Sequence, residues 1–309
     1  MTTTDKKINI LTGDYDDSLL DDESIREQFK KYPFEPDHFQ KHAIERINKN
    51  EHVLICVPTG SGKTLVAMEG IFRALSQGKK VIYTSPIKTL SNQKFSEFKK
   101  IFPDTSVGIL TGDIKLEPNA DILIMTTEIL RNLLYYNKMG DDSLAKDRLG
   151  CDVNIEKEVA VIIYDEVHYI NNKERGKVWE ESIIMAPKDI QLVMLSATIH
   201  RPDIFASWIQ SISKLQVNLI RYTKRPVPLE HYAFLNIGKI TTKDKRLIDK
   251  FNGFKNKLVP ILTKDCKYLH KNVTDIKSIY DEYLRSIRRR YVPAKAIFVP
   301  LVNMLNEKN

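Results

Sequence analysis

The sequence predicts an α/β fold, a mostly parallel sheet with helices on both faces, continued by a basic C-terminal extension. Two observations carry the sheet and a third carries the extension. Between Val53 and about Tyr222, short β-rich runs ("HVLICV", "KKVIYTS", "DILIMTT", "VAVIIY", "QLVMLS", "VNLIRY") alternate with segments of helical period such as "TLVAMEGIFRALSQ". That is the pattern of βαβ units whose sheet is covered on both faces. The stretch "PTGSGKT", residues 58 to 64, follows the first of these runs and precedes the first such helical segment, as a phosphate-binding loop must. Beyond Arg225 the composition shifts: residues 239 to 309 hold 17 Lys and Arg against 7 Asp and Glu, which accounts for the whole basic surplus of the chain.

Taken in order, residues 1 to 33 carry an acidic cluster ("GDYDDSLLDDE") with little apolar periodicity, and such a segment reads as a solvated arm or a loosely packed lead-in. Residues 34 to 238 hold the predicted sheet. Within them "NKMGDDSLAKDRLGCDVNIEKE", 137 to 158, is polar, lacks a clear period and is long for a connection, so it reads as a surface insertion. In residues 239 to 309, "IKSIYDEYLRSIRRRY" has an amphipathic helical spacing, and "VPAKAIFVPLV" reads as a strand with prolines near its ends. One strand cannot form a domain.

Composition narrows the function classes. At 309 residues and 42% hydrophobic content the chain can bury at least one full core. A formal net charge of +8 and a pI near 9.1 leave room for a polyanionic partner. Cys56, Cys151 and Cys266 are far apart, with neither a metal-ligand spacing nor a disulfide framework, which fits a reducing compartment. No basic and apolar leader opens the chain, and no apolar run approaches the roughly 18 residues of a membrane span. A soluble intracellular protein with no membrane partner is expected.

In the glycine-rich stretch, Gly60 and Gly62 let backbone N–H groups converge on phosphate oxygens at a helix N-terminus, where the dipole also favours negative charge. Lys63 would reach the β- and γ-phosphates and the Thr64 hydroxyl would hold Mg²⁺, with Thr59 and Ser61 completing the loop. The pattern departs from its usual form at Val57, where Gly or Ala is expected. Further on, "VAVIIYDE" ends a strand in Asp165, a candidate Mg²⁺ ligand, with Glu166 beside it as the candidate base for an attacking water. Alone, such a pair reads equally well as solvated acids at a strand end; about a hundred residues after a phosphate loop the two read as its partners. "LSAT", 195 to 198, sets Ser196 and Thr198 near the same edge. "TSPIKTLSNQK" and "MTTEILR" also follow strands, placing Lys88, Thr126, Thr127 and Arg131 where they suit contacts to a phosphate backbone. Taken singly, each is equally a helix cap or an exposed charge.

Together, "FEPDHFQKHAI", "VPTGSGKT", "TSPIKTLSNQK", "LTGD", "MTTEIL", "DEVHYI", "ERGKVWEESIIM", "LSATI" and "KRPVPLEHY" stand in an order that resembles the superfamily-two DEVH RNA helicases of the superkiller type. The resemblance covers residues 32 to 232. It implies a RecA-like ATP-binding domain over 34 to 238, with ATP and Mg²⁺ as cofactors and RNA, single-stranded or a duplex with an overhang, as partner. By position, Phe34 resembles the adenine-stacking aromatic and Gln40 the residue that reads the adenine edge. His168, Ser196 and Thr198 resemble residues that couple the nucleotide to the strand-binding edge. Pro86, Lys88, Thr111, Gly112, Thr127 and Glu128 lie in loops that face the RNA backbone in that family.

The family also carries a second RecA-like domain that supplies arginine fingers, then a winged helix and a helical bundle. Their motifs do not occur in residues 1 to 309, whereas "IRRRYVPAKAIFVPLVNML" resembles the lead-in and first strand of that second domain. The expected function is therefore the ATP-binding half of an ATP-dependent RNA helicase, completed by a second RecA-like domain or chain in trans. Two alternatives stay open, a nucleotide-binding adaptor that does not unwind and a DNA helicase of the same group.

Overall fold

The six apolar runs become six adjacent strands of one nine-stranded sheet. In chain order the strands are β1 (Asn9–Leu11), β2 (His52–Cys56), β3 (Lys80–Ser85), β4 (Val107–Leu110), β5 (Lys115–Leu116), β6 (Ile122–Thr126), β7 (Val159–Tyr164), β8 (Gln191–Ser196) and β9 (Val217–Arg221). They lie in the order β1-β9-β2-β8-β7-β3-β6-β4-β5. All neighbours are parallel except β4 and β5, which are antiparallel. This is the expected RecA-like α/β arrangement. The computed structural model describes residues 7–16, 18, 23–30, 32–140, 142–197, 199–223, 230–234, 242–254, 257–263 and 267–286.

Strand periodicity sorts the side chains into two cores. Val53, Ile55, Val161, Ile163, Val193 and Leu195 face one side, where they meet the helices His38–Asn48, Lys63–Ser76 and Lys88–Ile101. Leu54, Ile82, Ile162, Tyr164, Leu192 and Met194 face the other, against the helices Thr127–Met139, Gly176–Met185 and Pro202–Ile212. Successive residues point to opposite faces and both faces are covered, so β2 is buried along its whole length. Because the strands run parallel, β2, β3, β6, β7 and β8 all end at one edge, where α/β folds bind ligands.

Two segments differ from expectation. The described part of the lead-in packs against the sheet: β1 pairs with β9 through Asn9↔Asn218, Ile10↔Leu219 and Leu11↔Ile220, and Asn9 Nδ2 donates to Asn218 Oδ1 at 2.9 Å. Tyr15, Ile25 and Phe29 then bury themselves against Ile44. Three apolar residues scattered among acids are too sparse to register as a period, yet with Ile44 they suffice for a small satellite core. The stretch 137 to 158 is also no surface insertion. It forms the short helices Asp142–Leu149 and Ile155–Glu158, and Ala145, Leu149, Cys151, Val153 and Ile155 enter the main core.

The chain divides into two units at residues 224 and 225, earlier than the expected boundary after 238. In the second unit β10 (His231–Phe234) and β11 (Leu258–Leu262) pair antiparallel. The helices Lys245–Phe254 and His270–Ser286 pack through Phe251, Ile279 and Tyr283, and Lys250 meets Glu282 at 2.9 Å. The expected terminal strand in 287–309 lies outside the described residues, as do Cys266 and Thr198. Cys56 and Cys151 are free and buried, and burial pushes the Cys56 thiol up to about 12. Among the described residues no helix is long and apolar enough to cross a membrane.

Candidate functional site

β2 runs out at Cys56, and Val57, still buried, donates its N–H to the Ser196 carbonyl at the end of β8. The turn then needs two left-handed residues, Gly60 (φ 80°) and Gly62 (φ 82°), before the 14-residue helix Lys63–Ser76 begins. Glycine takes that backbone without steric cost. Gly62 is also crowded, since a Cβ there would lie 2.8 Å from Gln40 Nε2. The loop thus presents backbone N–H groups at the N-terminus of a long helix. Lys63 Nζ donates to the carbonyls of Val57 and Pro58, each at 3.2 Å. Ser61 Oγ is buried with no hydrogen-bond partner among the described residues, and so is Ser196 Oγ one strand away. Two orphaned hydroxyls beside a glycine-rich helix start fit a ligand rich in acceptor oxygens.

Asp165 follows β7, which is separated from β2 by β8 alone. Its Oδ2 accepts from Tyr83 Oη, and its Oδ1 from Glu166 N at 2.9 Å. Burial raises the Asp165 carboxyl; the Tyr83 bond opposes this, Glu166 adds to it, and the Lys94 ammonium opposes it. Lys94 Nζ also donates to Thr64 Oγ1 at 3.4 Å and pairs with Glu97 at 2.9 Å. One lysine therefore acts on both residues expected to hold Mg²⁺. Among the described residues no group of three or more His, Cys, Asp and Glu gathers. A hydroxyl and one carboxylate suit Mg²⁺, which takes few protein ligands and completes its shell with phosphates and water.

Glu166 sits in the left-handed region (φ 51°, ψ 44°) and opens the 3-10 turn Val167–Asn171. For a residue with a Cβ this backbone is strained. Its carboxylate lies beside His168, whose Nδ1 is 3.1 Å from Glu166 Oε2 without hydrogen-bond geometry. The His168 contact keeps the Glu166 carboxyl below its ordinary value; burial opposes this, while the charges of His168 and Lys63 add to it.

Phe34 is 53% exposed, its ring 6.0 Å from that of Tyr32. Tyr32 in turn donates to the buried carboxylate of Glu69, on the helix that follows the phosphate loop. Gln40 is buried and engaged at both ends: Oε1 accepts from Asp37 N at 2.8 Å and Nε2 donates to Gly62 O at 3.0 Å. It thus fastens the start of the helix His38–Asn48 to the phosphate loop.

The residues expected to face RNA lie along the same edge, but their charges are taken. Lys88 pairs with Asp113 and its ammonium would be 3.3 Å from a Cβ at Gly112, so the loops after β3 and β4 meet. Arg131 pairs with Glu181 at 3.2 Å. Glu128 pairs with Arg175. The side chains of Thr111 and Thr127 are buried, as is Thr126, so these positions can offer backbone groups to a strand but not hydroxyls. Tyr83, Lys94 and Arg175 went unread in the sequence. Tyr83 is disguised as one more apolar strand residue, and Lys94 and Arg175 as surface charges in helical or polar stretches.

The profile of the DEAD/DEAH box helicase family matches residues 37–205. The chain is similar to the DExH-box ATP-dependent RNA helicase DExH9 of Arabidopsis thaliana, 42% identical over 243 residues, 77% of this chain and 23% of that protein. It is similar to the antiviral helicase SKI2 of Saccharomyces cerevisiae, 39% identical over 258 residues, 84% of this chain and 17% of that protein. It is also similar to superkiller complex protein 2 of Homo sapiens, 44% identical over 228 residues, 74% of this chain and 17% of that protein. The matched segment is thus about a fifth of the length of these curated relatives.

Proposed function

The chain belongs to the DEAD/DEAH box helicase family, and from that premise we propose that it is the ATP-binding half of an ATP-dependent RNA helicase, which couples ATP hydrolysis to movement along RNA or its unwinding. One observation supports this above the rest: β2, β8 and β7 are side by side, so the phosphate loop, Ser196 and the Asp165–Glu166 pair share one sheet edge. Backbone N–H groups of residues 60 to 64, with Lys63, would bind the phosphates, in exchange for the loop carbonyls that now accept from Lys63. Thr64 and Asp165 would hold Mg²⁺, which when bound supplies charge neutralisation at the phosphate oxygens. Glu166, kept ionised beside His168, would orient the attacking water and take its proton. Phe34 offers its exposed ring to the adenine, and Gln40 retains one amide hydrogen and one lone pair for the base edge.

RNA is favoured as the strand because one of these relatives, DExH9 of Arabidopsis thaliana, is an ATP-dependent RNA helicase. A phosphate backbone would have to compete with Asp113 for Lys88 and with Glu181 for Arg131. Binding is therefore weak, sequence-tolerant and salt-dependent, with a log–log slope of about −0.7 per contact on single strands. His168, Ser196 and Thr198 would relay the nucleotide state to that edge. A second RecA-like domain, in cis or in trans, would supply arginine fingers.

The test is ATPase on single-stranded RNA, with a DNA strand of equal length as competitor, for this chain alone and with a second RecA-like domain added. The expected result is a gain of at least about 10³ in rate on addition, the low end of an arginine finger's contribution. Robust duplex unwinding by the chain alone overturns the two-domain reading. Preference for DNA, or binding indifferent to salt, overturns the RNA reading, and nucleotide binding with no turnover in either arm supports an adaptor.

A further inference from the structure

Arg175 is the point where three separate segments of the chain meet. Its Nη2 donates to the carbonyl oxygen of Pro86, after β3, at 2.6 Å and to Glu128 Oε1 at 2.5 Å. Its Nε donates to the same carboxylate oxygen at 3.1 Å, and its guanidinium carbon lies 5.8 Å from the ring centroid of Trp179. Glu128 stands in the first turn of the helix that follows β6. Arg175 itself follows the turn that carries Glu166 and His168.

The backbone beneath it is fixed. Asn172 Oδ1 accepts from the N–H of both Glu174 and Arg175 at 3.0 Å, and Gly176 N donates to Asn172 O at 2.8 Å. Gly176 admits no side chain, because a Cβ there would lie 2.1 Å from the Ile170 carbonyl oxygen. So Arg175 is held to the DEVH segment, while its fork holds the Pro86 loop and the first turn of the helix after β6, both of which the family resemblance assigns to the strand-binding edge.

We propose that Arg175 is a positioning residue for RNA binding: it sets the spacing of the Pro86 loop and the helix start at Glu128, neutralises Glu128 where a phosphate backbone would pass, and ties both to the segment carrying Glu166 and His168. The inference rests on the RNA reading above. Arg175 acts through Pro86 and Glu128. The fork geometry explains why arginine stands here, since one ammonium cannot serve a carbonyl and a carboxylate from the same planar frame with an Nε bond besides. The pair is partly exposed, with side chains 38% and 34% accessible, so it contributes little to folding. Its role is in the placement of the loops.

The test compares the full chain with Arg175→Met, Arg175→Lys and Arg175→Met combined with Glu128→Gln. The readouts are anisotropy of a labelled oligo-uridine strand, affinity for a fluorescent ATP analogue with Mg²⁺, and melting temperature. Arg175→Met is expected to weaken RNA about tenfold, within the range of couplings carried by a positioning residue, while nucleotide affinity and melting temperature stay near wild type. Arg175→Lys recovers only part of the loss, and removing the Glu128 charge recovers more, because the unpaired carboxylate no longer repels the strand. Equal RNA affinity of wild type and Arg175→Met overturns the inference and leaves the RNA reading standing. A parallel fall in all three readouts also overturns it, since that is a folding effect. Absence of salt-dependent RNA binding by the wild-type chain overturns both.

Discussion

The Tyr83 hydroxyl donates to Asp165 Oδ2 across the pair of adjacent strands β3 and β7. Burial raises the Asp165 carboxyl, and this bond is the strongest force opposing it. Tyr83→Phe keeps the ring packed against Phe98 but leaves a part-buried carboxylate oxygen without its donor. The expected cost is about 1 to 3 kcal/mol in folding stability, read from the urea midpoint. Mg²⁺-dependent nucleotide binding weakens as well, because loss of this donor raises the Asp165 carboxyl further and disfavours its ionised, metal-binding form. An unchanged midpoint together with an unchanged Mg²⁺ dependence would show that the bond does neither.

Lys63 tests the phosphate loop. ATP with Mg²⁺ at about 100 times its dissociation constant should stabilise the wild-type chain by roughly 2.7 kcal/mol, visible as a rise in melting temperature. Lys63→Ala removes most of that rise. If saturating nucleotide leaves the wild type unmoved, the loop does not bind phosphate.

Glu166 separates strain from chemistry. Glycine at φ 51° relieves the left-handed penalty, so Glu166→Gly is expected to hold or raise the unfolding free energy, by up to about 1 kcal/mol, while turnover is lost. Glu166→Gln keeps the strain and the nucleotide and also loses turnover, because an amide cannot take the proton. Asp165→Asn instead weakens Mg²⁺-dependent binding. Calorimetry beside ATPase assays distinguishes these outcomes; a glycine variant that is less stable would mean that the His168 contact outweighs the strain.

His52 supplies a pH dependence remote from the site. It is buried on β2, its Nδ1 accepting from Leu192 N at 2.9 Å and its Nε2–H donating to Ser213 Oγ. Burial pulls it down to about 4 from the ordinary 6.5. The unfolded chain therefore takes up the proton first, so stability is full above pH 6.5 and falls as pH drops toward 4. The loss approaches about 3 kcal/mol at most. His52→Asn, which keeps an acceptor for Leu192 N, should flatten the urea-midpoint profile between pH 7 and 5. A profile unchanged by the substitution assigns the slope to other groups.

How much was legible follows the kind of interaction involved. The six central strands announce themselves because burial on both faces demands unbroken apolar runs, and parallel pairing then brings their ends, with Lys63, Asp165 and Ser196, to one edge. β1, β4 and β5 are short and lie toward the sheet margins; β4 is buried throughout but is only four residues long with a glycine inside, and β5 is exposed. The 137–158 stretch escaped notice because its buried residues, Ala145, Leu149, Cys151, Val153 and Ile155, follow no single period across two short helices and a connecting loop. Arg175 was hidden for another reason. Its meaning lies in partners 47 and 89 residues away, and no local pattern records such distances.

The pairing of β1 with β9 also has a consequence for how the chain is made. Asn9 meets Asn218 across a separation of 209 residues, so the first strand of this sheet to be synthesised waits for the last. Pairings this distant in sequence are slow to form, although closure entropy grows only gently with length. Until Val217–Arg221 emerges, β2 is a bare edge with apolar residues on both sides, the kind of surface that recruits other chains. A nascent or shortened chain ending before residue 221 is therefore expected to need a chaperone, and any excised version of the first unit has to keep both β1 and β9.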